Sequence, residues 1–166
     1  GVKSVDPSIK VQVDYAGSFG DSAKGKTIAA AQYAAGADVI YQVAGGTGAG
    51  VFSEAKDLNE KKNEDEKVWV LGVDRDQNED GKYTTKDGKD DNLTLASTIK
   101  GVNIAVKKIS DLALEDKFPG GEHLTYGLKD GGVDLTTEAL SDQAKTAVKE
   151  AKEQIISGDV KVPDQP

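Results

Sequence analysis

The chain has 166 residues, 37% apolar and 30% charged, a composition typical of one soluble globular domain with a core. Its 29 acidic and 21 basic residues give a net charge of −8, which argues against nucleic acid and anionic membrane surfaces as partners. There is no cysteine, so disulfides and thiolate metal sites are excluded. No apolar run in the sequence is long enough to cross a bilayer.

The start of the sequence is unusual. The chain begins with Gly1 and contains no methionine. Residues 1–5 read as the end of a helix, and Asp6-Pro7 then predicts a turn before the first strand. We therefore expect the sequence to be a fragment of a longer protein.

The apolar pattern alternates between strand and helix periods along the chain. Alternating or continuous apolar runs predict strands at residues 9–15, 38–43, 68–73, 93–97, 124–128 and 133–135. Apolar residues at helical spacing predict helices that run from Ser18 or Asp21 to Gly36, over 51–58, from 99 to about 117, and from Ser141 to Gly158. Residues 74–92 are polar and irregular, and residues 161–166 are expected to form a flexible tail.

This order of elements predicts an α/β fold with a mainly parallel sheet flanked by helices, in a single lobe over residues 1–160. Ligands of such sheets bind beyond the carboxyl ends of the strands. We therefore expect the segments that follow the strands to lie on one rim: residues 18–19, residues 45–50, Asp74 and residues 97–100.

The turn at residues 45–50 joins a strand to a helix through the sequence Gly-Gly-Thr-Gly-Ala-Gly. Its free N–H groups could bind an anion or ligand hydroxyls, or the glycines could only permit a tight turn and close packing. The dinucleotide fingerprint fails, because the third glycine position counted from Gly46 and Gly48 is Val51. The P-loop pattern fails too, since Val51 also stands where that pattern requires lysine.

Three other side chains are of types that binding or catalytic sites use. Asp74 ends the third strand, where its carboxylate could accept hydrogen bonds from vicinal sugar hydroxyls, cap a helix or face water. Phe19, in a glycine-flanked loop, could stack on a flat ligand or cover the end of the sheet. His123 has no obvious Ser or Asp partner for nucleophilic chemistry, so we predict that the protein is not an enzyme.

Residues 76–87 are similar to the calcium loop D-x-[DN]-x-[DN]-G-x₅-E. Asp87 replaces the final Glu, which weakens bidentate coordination, and no flanking helix pair is predicted. An acidic loop with a glycine also gives such a match by chance, so both interpretations stay open. No other cofactor is expected. The candidate calcium ligands are Asp76, Asn78, Asp80, Lys82 and Asp87.

Five motifs together resemble one known family over nearly the whole chain. They are Gly-Ser-Phe-Gly-Asp at 17–21, Gly-Ala-Asp-Val-Ile at 36–40, Val-Ala-Gly-Gly-Thr-Gly at 43–48, Gly-Val-Asp-Arg-Asp-Gln at 72–77 and Tyr-Gly-Leu-Lys-Asp-Gly-Gly-Val at 126–133. The family is that of the basic membrane lipoproteins, the PnrA-like purine nucleoside receptors that act as substrate-binding proteins of ABC transporters. Its members have two α/β lobes. The resemblance implies that this chain is the C-terminal lobe, a flavodoxin-like lobe of a type I periplasmic binding protein without its N-terminal lobe.

The resemblance also implies a function. An extracytoplasmic receptor, held to the cell membrane by a lipid anchor, would capture purine nucleosides between its lobes and pass them to the permease subunits. Phe19 would stack on the base, and Asp74 and Lys100 would hold ribose hydroxyls, helped by the backbone around Gly46. Gly20 stands where the family often has asparagine, which puts one polar contact in doubt. Because contacts to the base edge come largely from the other lobe, this chain alone should bind nucleoside weakly.

A different function on the same architecture stays open. The chain could be the effector-sensing lobe of a regulator, or part of a sugar or autoinducer receptor.

Overall fold

The structure is a computed structural model that describes residues 1–163. The helices of this part of the chain are α1 (Val2–Val5), α2 (Ser22–Ala34), α3 (Ala49–Asn59), α4 (Val102–Leu114) and α5 (Asp142–Ser157). The strands are β1 (Val39–Tyr41), β2 (Trp69–Gly72), β3 (Lys82–Thr84), β4 (Asp90–Asn92), β5 (Thr94–Lys100) and β6 (Val133–Leu135).

Four of the strands form a mixed, mainly parallel sheet in the order β1-β2-β5-β6, and β3 pairs with β4 in a separate antiparallel hairpin. Within the sheet, β5 and β6 are antiparallel, with Thr98 opposite Leu135 and Lys100 opposite Val133. The predicted α/β class, with a mainly parallel sheet and flanking helices, is confirmed.

The chain divides into two compact units. The first comprises Gly1–Val70 and Asp80–Leu93, and the second comprises Leu71–Glu79 and Thr94–Pro166. The single lobe expected over residues 1–160 stays a prediction. Of the tail expected at 161–166, residues 164–166 lie outside the described residues.

In the first unit, α2 and α3 approach each other closely at a glycine. A Cβ atom on Gly50 would lie only 1.9 Å from the carbonyl oxygen of Ser22 and 2.4 Å from the backbone nitrogen of Lys26. The missing side chain therefore lets the two helix backbones touch. Lys26 also forms an ion pair with Asp57 on α3.

The first unit holds a hydrophobic core. Asn59 and Tyr33 satisfy backbone groups at its edge: the Asn59 amide bonds both the N–H and the carbonyl of Val68 at 2.9 Å, and the Tyr33 hydroxyl donates to the carbonyl of Trp69 at 3.0 Å. Burial raises the pKa of Tyr33 well above its usual value. The core residues are Ala29, Tyr33, Ile40, Val51, Phe52, Ala55, Val68, Val70, Tyr83 and Leu93.

Within the first unit, a partly buried ion pair joins Asp91 of the β3–β4 hairpin to Lys67, which precedes β2. The Lys67 ammonium lies 2.6 Å from an Asp91 carboxylate oxygen and 4.1 Å from the centre of the Trp69 ring. The Tyr83 hydroxyl donates to the same Asp91 oxygen at 2.7 Å. Burial acts to raise the pKa of Asp91, but the hydrogen bonds from Lys67 and Tyr83 outweigh it, so the pKa lies below its ordinary value.

In the second unit, α5 begins and ends at the predicted residues. The Ser141 hydroxyl accepts a hydrogen bond from the backbone N–H of Ala144, and Gly158 ends the helix in a left-handed conformation with φ 87°. Lys152 of α5 pairs with Asp134 of β6. This ion pair joins α5 to the edge strand of the sheet.

Several predicted elements are wrong. Residues 9–15 form no strand: Val11, Val13 and Tyr15 are all exposed, so the alternation does not mark a half-buried face. Residues 124–128 form no strand either. The hairpin of β3 and β4 was not predicted, because β4 consists of polar residues only. Ile99, expected to begin a helix, lies in β5.

The close approach of α2 and α3 predicts a large effect of Gly50→Ala. The new methyl group would overlap backbone atoms, which no side-chain rotation can relieve, so we expect the free energy of unfolding to fall by about 3 kcal/mol. Chemical denaturation monitored by circular dichroism measures it. Gly20→Ala in the same unit is the control, because a Cβ atom there meets nothing within 4 Å. Equal effects of the two substitutions would contradict the packing described.

The Asp91 ion pair predicts a pH-dependent effect of Asp91→Asn. Since the pKa of Asp91 is lowered in the folded state, its contribution is present above the unfolded pKa of about 4 and is lost as the pH falls through the folded pKa. With the carboxylate one-third exposed and partly screened, we expect Asp91→Asn to destabilise by about 1 kcal/mol at pH 7. The difference should vanish in acid. Asp87→Asn, which affects an exposed pair with Lys89, should change stability much less; a difference between wild type and Asp91→Asn that grows in acid would refute the account.

Candidate functional site

In the first unit, the Phe19 loop lies against the glycine turn. The Phe19 ring is 79% exposed, so it is not a core residue. Its carbonyl oxygen accepts a hydrogen bond from the Thr47 N–H at 3.2 Å. A Cβ atom on Gly46 would lie 3.1 Å from the same oxygen, and Gly45 has φ 55°. The two segments predicted to contribute Phe19 and Gly46 are therefore brought together.

Thr47 connects these two segments through buried hydrogen bonds. Its hydroxyl donates to the carbonyl of Ser18 and accepts from the N–H of Asp21, both at 2.9 Å, and the residue is almost fully buried. Thr47 was not among the predicted site residues, because its hydrogen bonds reach residues 26 and 29 positions away and leave no local signal. Thr47 fixes the backbone on both sides of Phe19, so the exposed ring stands on a rigid base.

The glycines of the turn serve close packing. The N–H of Thr47 donates to the carbonyls of Phe19 and Ala44, so this donor is used within the protein. A Cβ atom on Gly48 would lie 1.8 Å from the side-chain oxygen of Gln42. These contacts support the interpretation that the glycines permit a tight turn and close approach.

In the second unit, Asp74 and Lys100 form an exposed pair at the end of β2. The Lys100 ammonium lies 3.4 Å from an Asp74 carboxylate oxygen, and the two side chains are 66% and 53% exposed. The Lys100 N–H also donates to the Asp74 carbonyl at 2.9 Å. Two residues predicted to bind one part of a ligand are thus in contact, 26 positions apart in the chain.

Asp74 has an unusual backbone conformation. Its φ is 69°, in the left-handed region, where non-glycine residues are uncommon and where Asp and Asn are tolerated best. Such residues persist only where their surroundings hold them, and they often lie at functional sites. Gln77, which follows in this loop, was not among the predicted site residues, because its hydrogen bonds to β5 leave no signal in the local sequence.

The proposed calcium loop is divided between the two units. Asp76 accepts a hydrogen bond from the N–H of Asn78, and Asp87 pairs with Lys89, whose hydrogen bond holds the pKa of Asp87 low, at about 2. Lys82 begins β3. Within residues 1–163, no group of three or more acidic or histidine side chains is placed to hold a metal ion. Calcium binding stays a prediction.

The sheet topology and the flanking helices define the class of this chain: it is a flavodoxin-like α/β lobe of the type found in periplasmic binding proteins. A family model described as "ABC transporter substrate-binding protein PnrA-like" matches residues 1–166. The chain therefore belongs to the PnrA-like family of ABC transporter substrate-binding proteins, as its motifs predicted.

Named relatives agree with this assignment. The chain is 58% identical over 165 residues to the ABC transporter nucleoside-binding protein BmpA of Lactococcus lactis subsp. cremoris, covering 99% of this chain and 47% of that protein. It is 47% identical to the CD4+ T-cell-stimulating antigen of Listeria monocytogenes, covering 100% and 47%. A solved ABC transporter solute-binding protein from Aeropyrum pernix K1 is 25% identical, with a TM-score of 0.73 over 99% of this chain and 52% of that one.

The matches also show how much of its relatives' length the chain covers and where proteins of the family are located. The chain spans about half the length of the curated relatives it matches. The family consists of extracytoplasmic substrate-binding proteins, not enzymes. Over the described residues, no helix combines the length and the apolar character that a membrane span requires.

The left-handed conformation of Asp74 predicts how substitutions there affect stability. Asp74→Gly should stay within about 0.5 kcal/mol of wild type, because glycine adopts positive φ freely and an exposed ion pair contributes little. Asp74→Val should lower the free energy of unfolding by about 2 kcal/mol, since a β-branched residue is strained there. Denaturant titration of both variants measures the difference. Equal stabilities would contradict the left-handed backbone.

Proposed function

We propose that this chain takes part in the capture of purine nucleosides by the substrate-binding protein of an ABC importer. Membership of the family and the nucleoside-binding name of the Lactococcus relative support the proposal. The single observation that carries it is the exposed Asp74–Lys100 pair, which offers a carboxylate and an ammonium side by side at the end of a sheet strand.

The Asp74–Lys100 pair has the chemistry that a ribose requires. Vicinal hydroxyls both donate and accept hydrogen bonds, the Asp74 carboxylate only accepts, and the Lys100 ammonium only donates. At 3.4 Å the two groups balance each other's charge, while the second carboxylate oxygen and the other ammonium hydrogens can serve a ligand. We propose that they bind the 2′- and 3′-hydroxyls together.

Within the first unit, Phe19 is proposed to stack on a purine base. A purine base stacked on an aromatic side chain gains about 1–3 kcal/mol. The exposed ring and the hydrogen bonds of Thr47 to its loop favour this role, because the backbone that carries the ring is already held in place. The backbone at Gly46, next to Phe19, is proposed to assist.

Neutral nucleosides suit this chain better than nucleotides. Its net charge is −8, which disfavours the approach of an anionic ligand. The glycine turn carries no lysine of the P-loop kind, and its Thr47 N–H is already bonded. A nucleoside without phosphate is therefore the proposed ligand.

The rest of the proposed protein lies outside this chain. We propose that a second lobe, the N-terminal one in the family, closes over the nucleoside, that permease subunits receive it, and that a lipid anchor holds the protein at the outer face of the membrane. This chain covers 47% of the Lactococcus relative, and the rest of that protein is long enough for a second lobe. One lobe offers only part of the contacts, so this chain alone should bind more weakly than the two-lobe protein.

Nucleoside titration tests the proposed function. The chain, studied by NMR, and a two-lobe protein that contains it, studied by calorimetry, are titrated with inosine, guanosine and adenosine. We expect saturable binding, tighter in the two-lobe protein, and weaker binding of the 2′-deoxynucleosides because one ribose hydroxyl is missing. Silence towards every nucleoside, with binding of free sugars instead, would overturn the proposal in favour of a sugar receptor.

Two substitutions test the proposed contacts. Asp74→Asn should raise the dissociation constant about tenfold or more, since a hydrogen bond to a charged group contributes about 1.5–3 kcal/mol. Phe19→Ala should raise it about tenfold through lost stacking. Asp111→Asn, in the exposed pair with Lys107, and Phe118→Ala, at another exposed phenylalanine, are the matched controls. An unchanged dissociation constant would remove the substituted residue from the site.

A further inference from the structure

The backbone around Asp74, whose φ is positive, is hydrogen-bonded within the protein on both sides. Three hydrogen bonds involve the backbone of Asp74 and of the residues on either side of it. The N–H of Val73, the residue before it, is bonded to the Gln77 side chain, the Arg75 N–H after it donates to the Val73 carbonyl at 2.8 Å, and its own carbonyl accepts from Lys100. These hydrogen bonds constrain the backbone before and after Asp74.

Gln77 closes the loop from the other end. Its side-chain oxygen accepts the hydrogen bond from the Val73 N–H at 2.9 Å, so the side chain folds back over four residues. Its own backbone is anchored on β5: the N–H donates to the Ser97 hydroxyl at 3.0 Å, and the carbonyl accepts from the Thr94 hydroxyl at 3.1 Å. Gln77 is buried, as are both of its β5 neighbours.

Gly72 leaves the space in which these groups meet. A Cβ atom there would lie 2.5 Å from the Ser97 hydroxyl oxygen and 2.9 Å from the Gln77 side-chain oxygen. Ser97 is fully buried, in a strand where an apolar residue would otherwise be expected. A buried serine and a buried glutamine next to a glycine cost desolvation unless they are hydrogen-bonded, and here both are.

We propose that Gln77 and Ser97 are positioning residues that hold Asp74 in its left-handed conformation and thereby aim its carboxylate at the ligand. We call the two side chains the Gln77–Ser97 clamp. Without it, the loop over residues 73–77 relaxes to negative φ at residue 74, and the carboxylate turns away from Lys100. The effect on affinity rests on the proposed function, whereas the effect on the backbone does not.

The backbone part is tested without ligand. A left-handed residue gives a strong intraresidue NOE between its amide and Hα protons, and a crystal structure gives φ directly. We expect Gln77→Ala and Ser97→Ala each to lose the positive φ at residue 74, and Gln77→Glu, which retains a side-chain oxygen acceptor, to keep it. Asn59→Ala is the control, because it removes two buried hydrogen bonds to Val68 and should leave residue 74 unchanged.

The affinity part is tested by a double-mutant cycle. Gln77→Ala should weaken nucleoside binding about tenfold in the wild type, since misplacing a binding group costs affinity. In Asp74→Gly, which has no side chain to position, Gln77→Ala should cause no further loss. A merely structural role of Gln77 would give the same loss in both backgrounds.

The outcomes separate the clamp from the proposed function. If Gln77→Ala and Ser97→Ala keep the positive φ at residue 74, or the losses in the cycle are additive, the clamp is overturned. If the wild type binds no nucleoside, the proposed function fails and the clamp is decided by φ alone. Should both alanine variants unfold, hydrogen exchange on the wild type decides: we expect slow exchange of the Val73 and Gln77 amides, and fast exchange of either would refute the clamp.

Discussion

The hydrogen bonds between the end of β2 and strand β5 are the constraint on which the proposed ribose site depends. The proposed role of Asp74 needs its carboxylate beside Lys100, and in the structure this arrangement occurs with a positive φ that most residues avoid. Strand β5 supplies the hydroxyls of Thr94 and Ser97 for the loop and the N–H of Lys100 for the Asp74 carbonyl. Strand β5 thus carries Lys100, one proposed ligand residue, and the hydroxyl groups that are proposed to orient Asp74, the other.

The Phe19 loop of the first unit follows the same physical principle. An exposed side chain stands on backbone whose carbonyls and N–H groups are satisfied by a buried hydroxyl, that of Thr47. In each unit, therefore, the candidate binding residue is exposed, whereas the side chains proposed to fix it are polar and buried. Pre-organisation of this kind reduces the ordering cost on binding, because the contacting groups already have their positions.

The sequence predicted best where local rules decide. Helix α5 has its hydroxyl cap at Ser141 and its glycine stop at Gly158, as their positions predict. The strand expected at residues 9–15 is wrong, because alternation reports a pattern and not the presence of a pairing strand. The family resemblance predicted Asp74 and Lys100 as ligand residues. The hydrogen bonds of Thr47 to Ser18 and of Gln77 to Ser97 join residues 20 or more positions apart, and no periodicity records them. The one available signal in the sequence was Ser97, a polar residue in a strand of the predicted sheet.

The most direct test of the account is where the ribose lies when a nucleoside binds. Intermolecular NOEs are measured between the ribose protons of inosine and the side-chain methylene protons of Lys100 and Asp74. The account predicts NOEs from the 2′ and 3′ positions of the sugar to both residues, and their loss in Asp74→Gly. Ribose NOEs to other parts of the chain, with none to Asp74 or Lys100, would contradict it.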